Sequence, residues 1–150
     1  MEMSKNRRKY VGIGGDDVPS LGVLEGEIMR YIWEAGDAQS SVQVYSAMYQ
    51  ERYLTGQEMQ APSTIAVTLS RMVDKGLLSI EKRPGSTKGY YQPLKNRPDV
   101  VLAVLDDVTI RLAGCTLREL LQSLPEGAPP ASEKVAQLQD VMDALRQLTK

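Results

Sequence analysis

Between Pro62 and Pro93 the apolar period changes once, from helical to extended, and that switch limits the fold more than any other feature. Ile65, Leu69, Met72 and Val73 recur at spacings that put them in one sector of a helix. Pro62 suits a first helical turn, Ser63 or Thr64 can cap it, and Gly76 fits the left-handed position just past the end. The spacing predicts a helix over 62–75. Leu77 to Arg83 then reads as a strand, Pro84 to Gly89 is dense turn chemistry, and Gly89 to Pro93 returns as a second strand. The outcome is a β-hairpin over 77–93 with a basic tip.

Helical periods surround this core signal. Ser20 is placed to cap a first helix with Leu21, Leu24, Ile28 and Ile32 on one face, Trp33 as packing material and Gly36 as its stop. Ser40 or Ser41 caps a second helix whose predicted buried side is Val42, Tyr45, Met48 and Tyr49. After the hairpin, Pro98 opens a helix bearing Val100, Val101, Val104, Leu105, Val108 and Leu112. Thr116 and Glu119 have capping-box spacing before Leu117, Leu120, Leu121 and Leu124. Pro125 to Pro130 reads as a linker, and Ser132 caps a last helix with Val135, Leu138, Val141, Met142, Leu145 and Leu148. The expected fold class is mostly α with a small β-hairpin: a winged helix-turn-helix followed by a C-terminal helical dimerisation region. The expected segments are a flexible arm (1–19), a winged helix DNA-binding domain (20–96) and a helical dimerisation region (97–150).

Composition removes most catalytic readings. The 150 residues contain no His, the commonest general base and metal ligand, and no Phe. The single Cys115 cannot form an intrachain disulfide and reads as a small buried hydrophobe rather than a redox switch. Adjacent Asp106 and Asp107 point about 100° apart on a helix and make a poor acid–base pair. Gly12-Ile13-Gly14-Gly15 does not complete a dinucleotide fingerprint, and no metal-ligand spacing is present. No apolar run approaches the roughly 20 residues of a membrane span, and the basic start is not followed by an apolar stretch. The expectation is a cytoplasmic protein that is not an enzyme, takes no cofactor or metal, and inserts in no membrane.

Charge is uneven although the total is −1. Residues 62–97 hold seven basic groups, Arg71, Lys75, Lys82, Arg83, Lys88, Lys95 and Arg97, against Asp74 and Glu81. Such a face suits an anion. An α-helix fits the major groove of B-DNA when its outer face is small and polar, and cations on a hairpin gain by displacing counterions from phosphates. Candidate DNA-binding residues are therefore Ser63, Thr64, Val67, Thr68, Ser70, Arg71 and Lys75 on the helix, and Lys82, Arg83 and Lys88 on the wing. Arg71 stands out because a guanidinium can grip guanine bidentately or clamp a phosphate.

The residues also carry a family resemblance. Leu21-Gly22-x-Leu24-Glu25-x-Glu27-Ile28-Met29, then Trp33 and Gly36, resembles the opening of the penicillinase-repressor family, which includes methicillin-resistance and copper-responsive repressors. The run from Ser63 to Leu78 is similar to its recognition helix and first strand, with Ser63 in place of a Thr and Ser70 in place of an Asn. The likeness covers about residues 20–94. It implies a bacterial dimeric repressor that binds a palindromic operator on double-stranded DNA through a winged helix-turn-helix, with the C-terminal helices forming the homodimer. It also brings in a membrane sensor-protease acting on the repressor. The paired Cys-x-Cys of copper-responsive members is missing, and so is the Asn-Phe bond cleaved in penicillinase repressors.

Other readings of the same residues stay open. Val67 also fits the trihelical core, and Lys82, Arg83 and Lys88 also fit a solubilised hairpin edge. Lys5, Arg7, Arg8 and Lys9 read as a solvated start more than as a minor-groove arm. Tyr90 and Tyr91 alternate across their strand, so one belongs to the core and the other at most to a phosphate. The predicted dimer contacts are Val101, Val104, Leu105, Val108, Leu112, Leu117, Leu120, Leu121, Leu124, Leu138, Met142 and Leu145, which could instead close a private core or line an apolar ligand site. A winged-helix module that binds another protein, without operator binding, is the alternative function.

Overall fold

A computed structural model describes residues 21–150. The expected arm at 1–19 and the Ser20 cap lie outside the described residues. Seven helices and two strands follow in order: α1 (Val23–Ala35), α2 (Ser41–Thr55), α3 (Pro62–Asp74), β1 (Leu78–Lys82), β2 (Gly89–Pro93), α4 (Arg97–Ala113), α5 (Leu117–Ser123), α6 (Glu133–Ala136) and α7 (Gln139–Leu148). The described chain divides into two compact units, residues 21–100 and 101–150, with the boundary inside α4.

The first unit is a winged helix. α1, α2 and α3 pack on one another, with β2 against α1 and β1 against α3. Ile28, Met29, Ile32, Val44, Met48, Ile65, Leu69, Met72, Leu77 and Leu78 are at most 1% exposed. Each such burial stabilises by about 1.5–3 kcal/mol before the entropy of ordering is subtracted. β1 and β2 pair antiparallel with Leu78 opposite Pro93 and Lys82 opposite Gly89. Gln39, just before α2, exchanges backbone hydrogen bonds with Tyr91 at 2.9 and 2.8 Å, which ties the base of the wing to the helix-turn-helix.

Local chemistry explains the boundaries. α1 begins two residues later than the sequence suggests: Gly22 is the N-cap, and its N–H donates to Glu25 Oε1 at 2.7 Å. Leu21 is buried but precedes the helix. Ser40 and Gln43 form a reciprocal cap at the start of α2. α3 is capped at Ala61 rather than Ser63 or Thr64, because Pro62 takes the first helical position and pushes both hydroxyls into the first turn. Gly76 adopts φ 77° and Leu77 N–H closes back on Met72 at 2.9 Å, which turns the chain from helix to strand.

The buried side of α2 differs from the sequence expectation. Val44 and Met48 face the core, while Val42 and Tyr49 are 60% and 48% exposed. Tyr45, Tyr49 and Tyr53 stack along the outside with centroids 6.0 and 6.3 Å apart. Two stripes of helical spacing coexist on α2, and the longer aromatic one is the outer one.

The second unit has its own small core of Cys115, Leu120, Val135 and Met142, with Ala113, Leu124, Leu138 and Leu145 packed against it. The expected last helix is two: Leu138, at φ −107° and ψ 43°, leaves the helical region, and α7 starts anew behind it. The Pro125–Pro130 segment is an irregular linker between α5 and α6, as the sequence suggests, and the chain reverses across it. Buried Ser123 accepts from Ala131 N–H at 2.9 Å, and the Arg146 guanidinium donates to the Ser123 and Leu124 carbonyls at 3.1 Å. Arg146 thus satisfies the orphan carbonyls at the end of α5 from α7.

Candidate nucleic-acid interface

α3 has two unlike faces. Ile65, Leu69 and Met72 are fully buried, and the far side presents Ser63, Thr64, Val67, Ser70 and Arg71 to solvent. Val67 is 50% exposed, so it belongs to the outer face and not to the trihelical core. These five side chains are small or hydroxylic apart from Arg71, and among the described residues no ion pair engages the Arg71 guanidinium. A surface of this kind leaves room for a base edge and supplies one strong bidentate donor.

Two sequence candidates on α3 sit elsewhere. Thr68 is 8% exposed, and its hydroxyl donates back to the Thr64 carbonyl at 2.7 Å. It lies on the shoulder between outer and core faces, where such back-bonding replaces solvent. Lys75 donates to both carboxylate oxygens of Glu25, at 2.7 and 2.8 Å. Both side chains are largely buried, so Lys75 braces the end of α3 against the start of α1 instead of standing out as a free cation. A second brace joins α1 to α2 through Glu27 and Arg52. Glu25 belongs to the opening motif but has no role assigned from sequence, although its place three residues after Gly22 is the reciprocal position of a capping box.

The wing carries Lys82, Arg83 and Lys88, all exposed. Its tip is a turn closed by Ser86 N–H on the Arg83 carbonyl at 3.1 Å, with Gly85 at φ 74°. Lys88 N–H donates to Ser86 Oγ at 3.1 Å. Gly89 cannot carry a side chain without displacing Ile80, whose Cδ1 lies 2.5 Å from where a Cβ would be. Strand alternation sends Lys82 with Ile80 to one face of the ribbon and Arg83 with Glu81 to the other. Tyr90 sits on the Arg83 face, and the guanidinium lies over its ring at 3.7 Å. Sequence reading treated Tyr90 and Arg83 separately, because a diagonal cross-strand pair becomes visible only when the register is known.

The predicted dimer residues separate into two sets. Leu120 and Met142 are buried in the core of the second unit, with Leu124, Leu138 and Leu145 packed on it. They serve that unit's interior because the Ser123 and Arg146 bonds fold α6 and α7 back onto α5. Val101, Leu105 and Leu112 on α4 are 44%, 44% and 70% exposed, and Val104 and Val108 are half-buried between them. Beside this row, Leu117 and Leu121 line a groove of about 720 Å³ with Leu102 and Ala103.

No helix among the described residues is long and apolar enough to cross a membrane. Nor do those residues group three or more side chains able to hold a metal ion. Cys115 is buried, and that burial, with Glu119 nearby, raises its thiol pKa against the opposing pull of Lys134. No curated protein matches the chain. A family model described as penicillinase repressor matches residues 21–144, a span that takes in the whole winged helix and most of the second unit. The chain belongs to the penicillinase-repressor family, whose members are transcriptional regulators rather than enzymes.

Proposed function

We propose that this protein is a dimeric, sequence-specific repressor that binds a palindromic operator in double-stranded DNA. The observation that carries the reading is the outer face of α3: Ser63, Thr64, Val67, Ser70 and Arg71 stand exposed beside a basic wing. In this reading α3 enters the major groove, Arg71 reads a base or clamps a phosphate, and the hydroxyls and the Val67 methyls fit the groove floor. Lys82, Arg83 and Lys88 neutralise phosphates and supply salt-dependent affinity. Repression needs no catalysis: occupancy of promoter DNA is enough. A repressor works where the DNA is, in the cytoplasm.

Dimerisation falls to the exposed row on α4, Val101, Leu105 and Leu112 with Val104 and Val108. Their intervals of three, one, three and four keep them on one side, the pattern of a helix that packs against another. Two reading heads so joined match two half-sites about 34–36 Å apart. Relief by a membrane sensor-protease remains a partner that only the family suggests, since the Asn-Phe bond is missing here.

The test is a salt-titrated mobility shift on the DNA upstream of the protein's own gene. The reading expects retardation that weakens steeply with salt and exceeds binding to unrelated duplex by at least about a thousandfold. Absence of retardation at micromolar protein transfers the same surface to a protein partner.

A further inference from the structure

The wing holds one cation in a way the others are not held. Arg83 follows the last residue of β1, and Tyr90 on β2 lies diagonally across from it, under the guanidinium. The guanidinium carbon lies over the ring, 3.7 Å from its centroid, a close cation–π contact. Stacking occupies the face of a guanidinium and leaves its edge N–H groups for an acceptor. Glu81 approaches Nε at 3.9 Å, with both side chains about half exposed, and such a solvated pair contributes little by itself. Lys82 and Lys88 have neither a ring nor a carboxylate holding them among the described residues.

We propose that Tyr90 is a positioning residue of the DNA interface. Its ring fixes the Arg83 guanidinium so that the edge N–H groups are preset for a backbone phosphate, and the ring makes no contact with DNA itself. This rests on the repressor reading and deepens it. The gain is entropic: a long side chain that must be immobilised on binding is already immobile. The recognised chemistry is a phosphodiester oxygen, which needs no base sequence.

The experiment uses the full chain and a duplex of arbitrary sequence about 30 base pairs long, at low and moderate salt. Removing the ring with Tyr90→Leu weakens binding about fivefold, and Tyr90→Phe leaves it within about twofold, since stacking needs the ring and not the hydroxyl. Arg83→Ala weakens binding further and lowers the salt slope by about one. In the Arg83→Ala background, Tyr90→Leu has no added effect. Arg83→Lys keeps the charge without the planar fork, and loses about as much as Tyr90→Leu with the ring untouched, so a folding defect at position 90 does not hide the answer. Equal binding by wild type and Tyr90→Leu overturns the positioning role while leaving the repressor reading standing. So does a full further loss on adding Tyr90→Leu to Arg83→Ala, which marks a merely structural ring. Failure of the wild type to bind any duplex overturns both.

Discussion

In residues 21–100 ten large apolar side chains are at most 1% exposed, while Val42, Val67 and Ile80 stay outside singly. In residues 101–150 the inward set is four, Cys115, Leu120, Val135 and Met142, and α4 carries Val101, Leu105 and Leu112 outward. The first unit closes its own core and leaves polar and basic side chains on one helix face. The second keeps a row of apolar side chains uncovered. The contrast separates a surface suited to a charged, hydrated partner from one suited to another apolar surface. α2 adds a complication, because its tyrosine stripe is also outward and belongs to the first unit.

The sharpest test of this contrast is core truncation. Leu69→Ala empties the inner face of α3 and is expected to cost about 2–5 kcal/mol in chemical unfolding. A cost under about 1 kcal/mol places Leu69 in a core that collapses freely, and the rigid backing of the reading face is then wrong. The apolar row gives the opposite profile. Leu112→Glu is expected to leave each protomer's unfolding within about 0.5 kcal/mol of wild type, and to weaken the dimer by about 2 kcal/mol in sedimentation. An unchanged dimer moves the interface away from α4.

Arg71→Ala is expected to cost about 1–3 kcal/mol of operator affinity and to relax sequence preference, with no loss of folded stability. The smallest effect concerns the cap of α5. Hydrogen bonds from the Ser132 and Thr116 hydroxyls hold the Glu119 carboxyl below the usual carboxylate range, against the upward push of desolvation. A lowered folded pKa contributes stability above the unfolded value, lost as pH falls through the folded one. The advantage of wild type over Glu119→Gln in melting temperature should therefore shrink with acidification below about pH 4. A difference that is flat or grows on acidification contradicts the hydroxyl cap.

The parts of the fold that follow from local chemistry were legible in the sequence. Pro62 and Gly76 bracket α3, Pro84 to Gly89 turns the wing, and Thr116 caps α5, because each signal lies within a few residues of what it controls. What depends on distant partners was not legible. The α2 stripe was misassigned because Val42, Tyr45 and Tyr49 share a helical side as convincingly as Val44 and Met48 do. The sequence offers Lys75 as a DNA-binding candidate, and nothing local to it shows the pairing with Glu25, fifty residues earlier. The break at Leu138 and the role of Arg146 come from chain reversal after Ser123, which no local period encodes. Arg83 and Tyr90 needed the strand register. On α3, the exposure of Ser63, Thr64, Val67, Ser70 and Arg71 follows from helical period, while the burial of Thr68 and the partner of Lys75 do not.

The most direct measurement is a residue-by-residue map of backbone amide shifts in the full chain as operator duplex is added. The account predicts the largest changes at Ser63, Thr64, Val67, Ser70 and Arg71 and along the 82–90 ribbon, with the tyrosine stripe of α2 unmoved. Changes gathered on Tyr45, Tyr49 and Tyr53, with α3 silent, would contradict it.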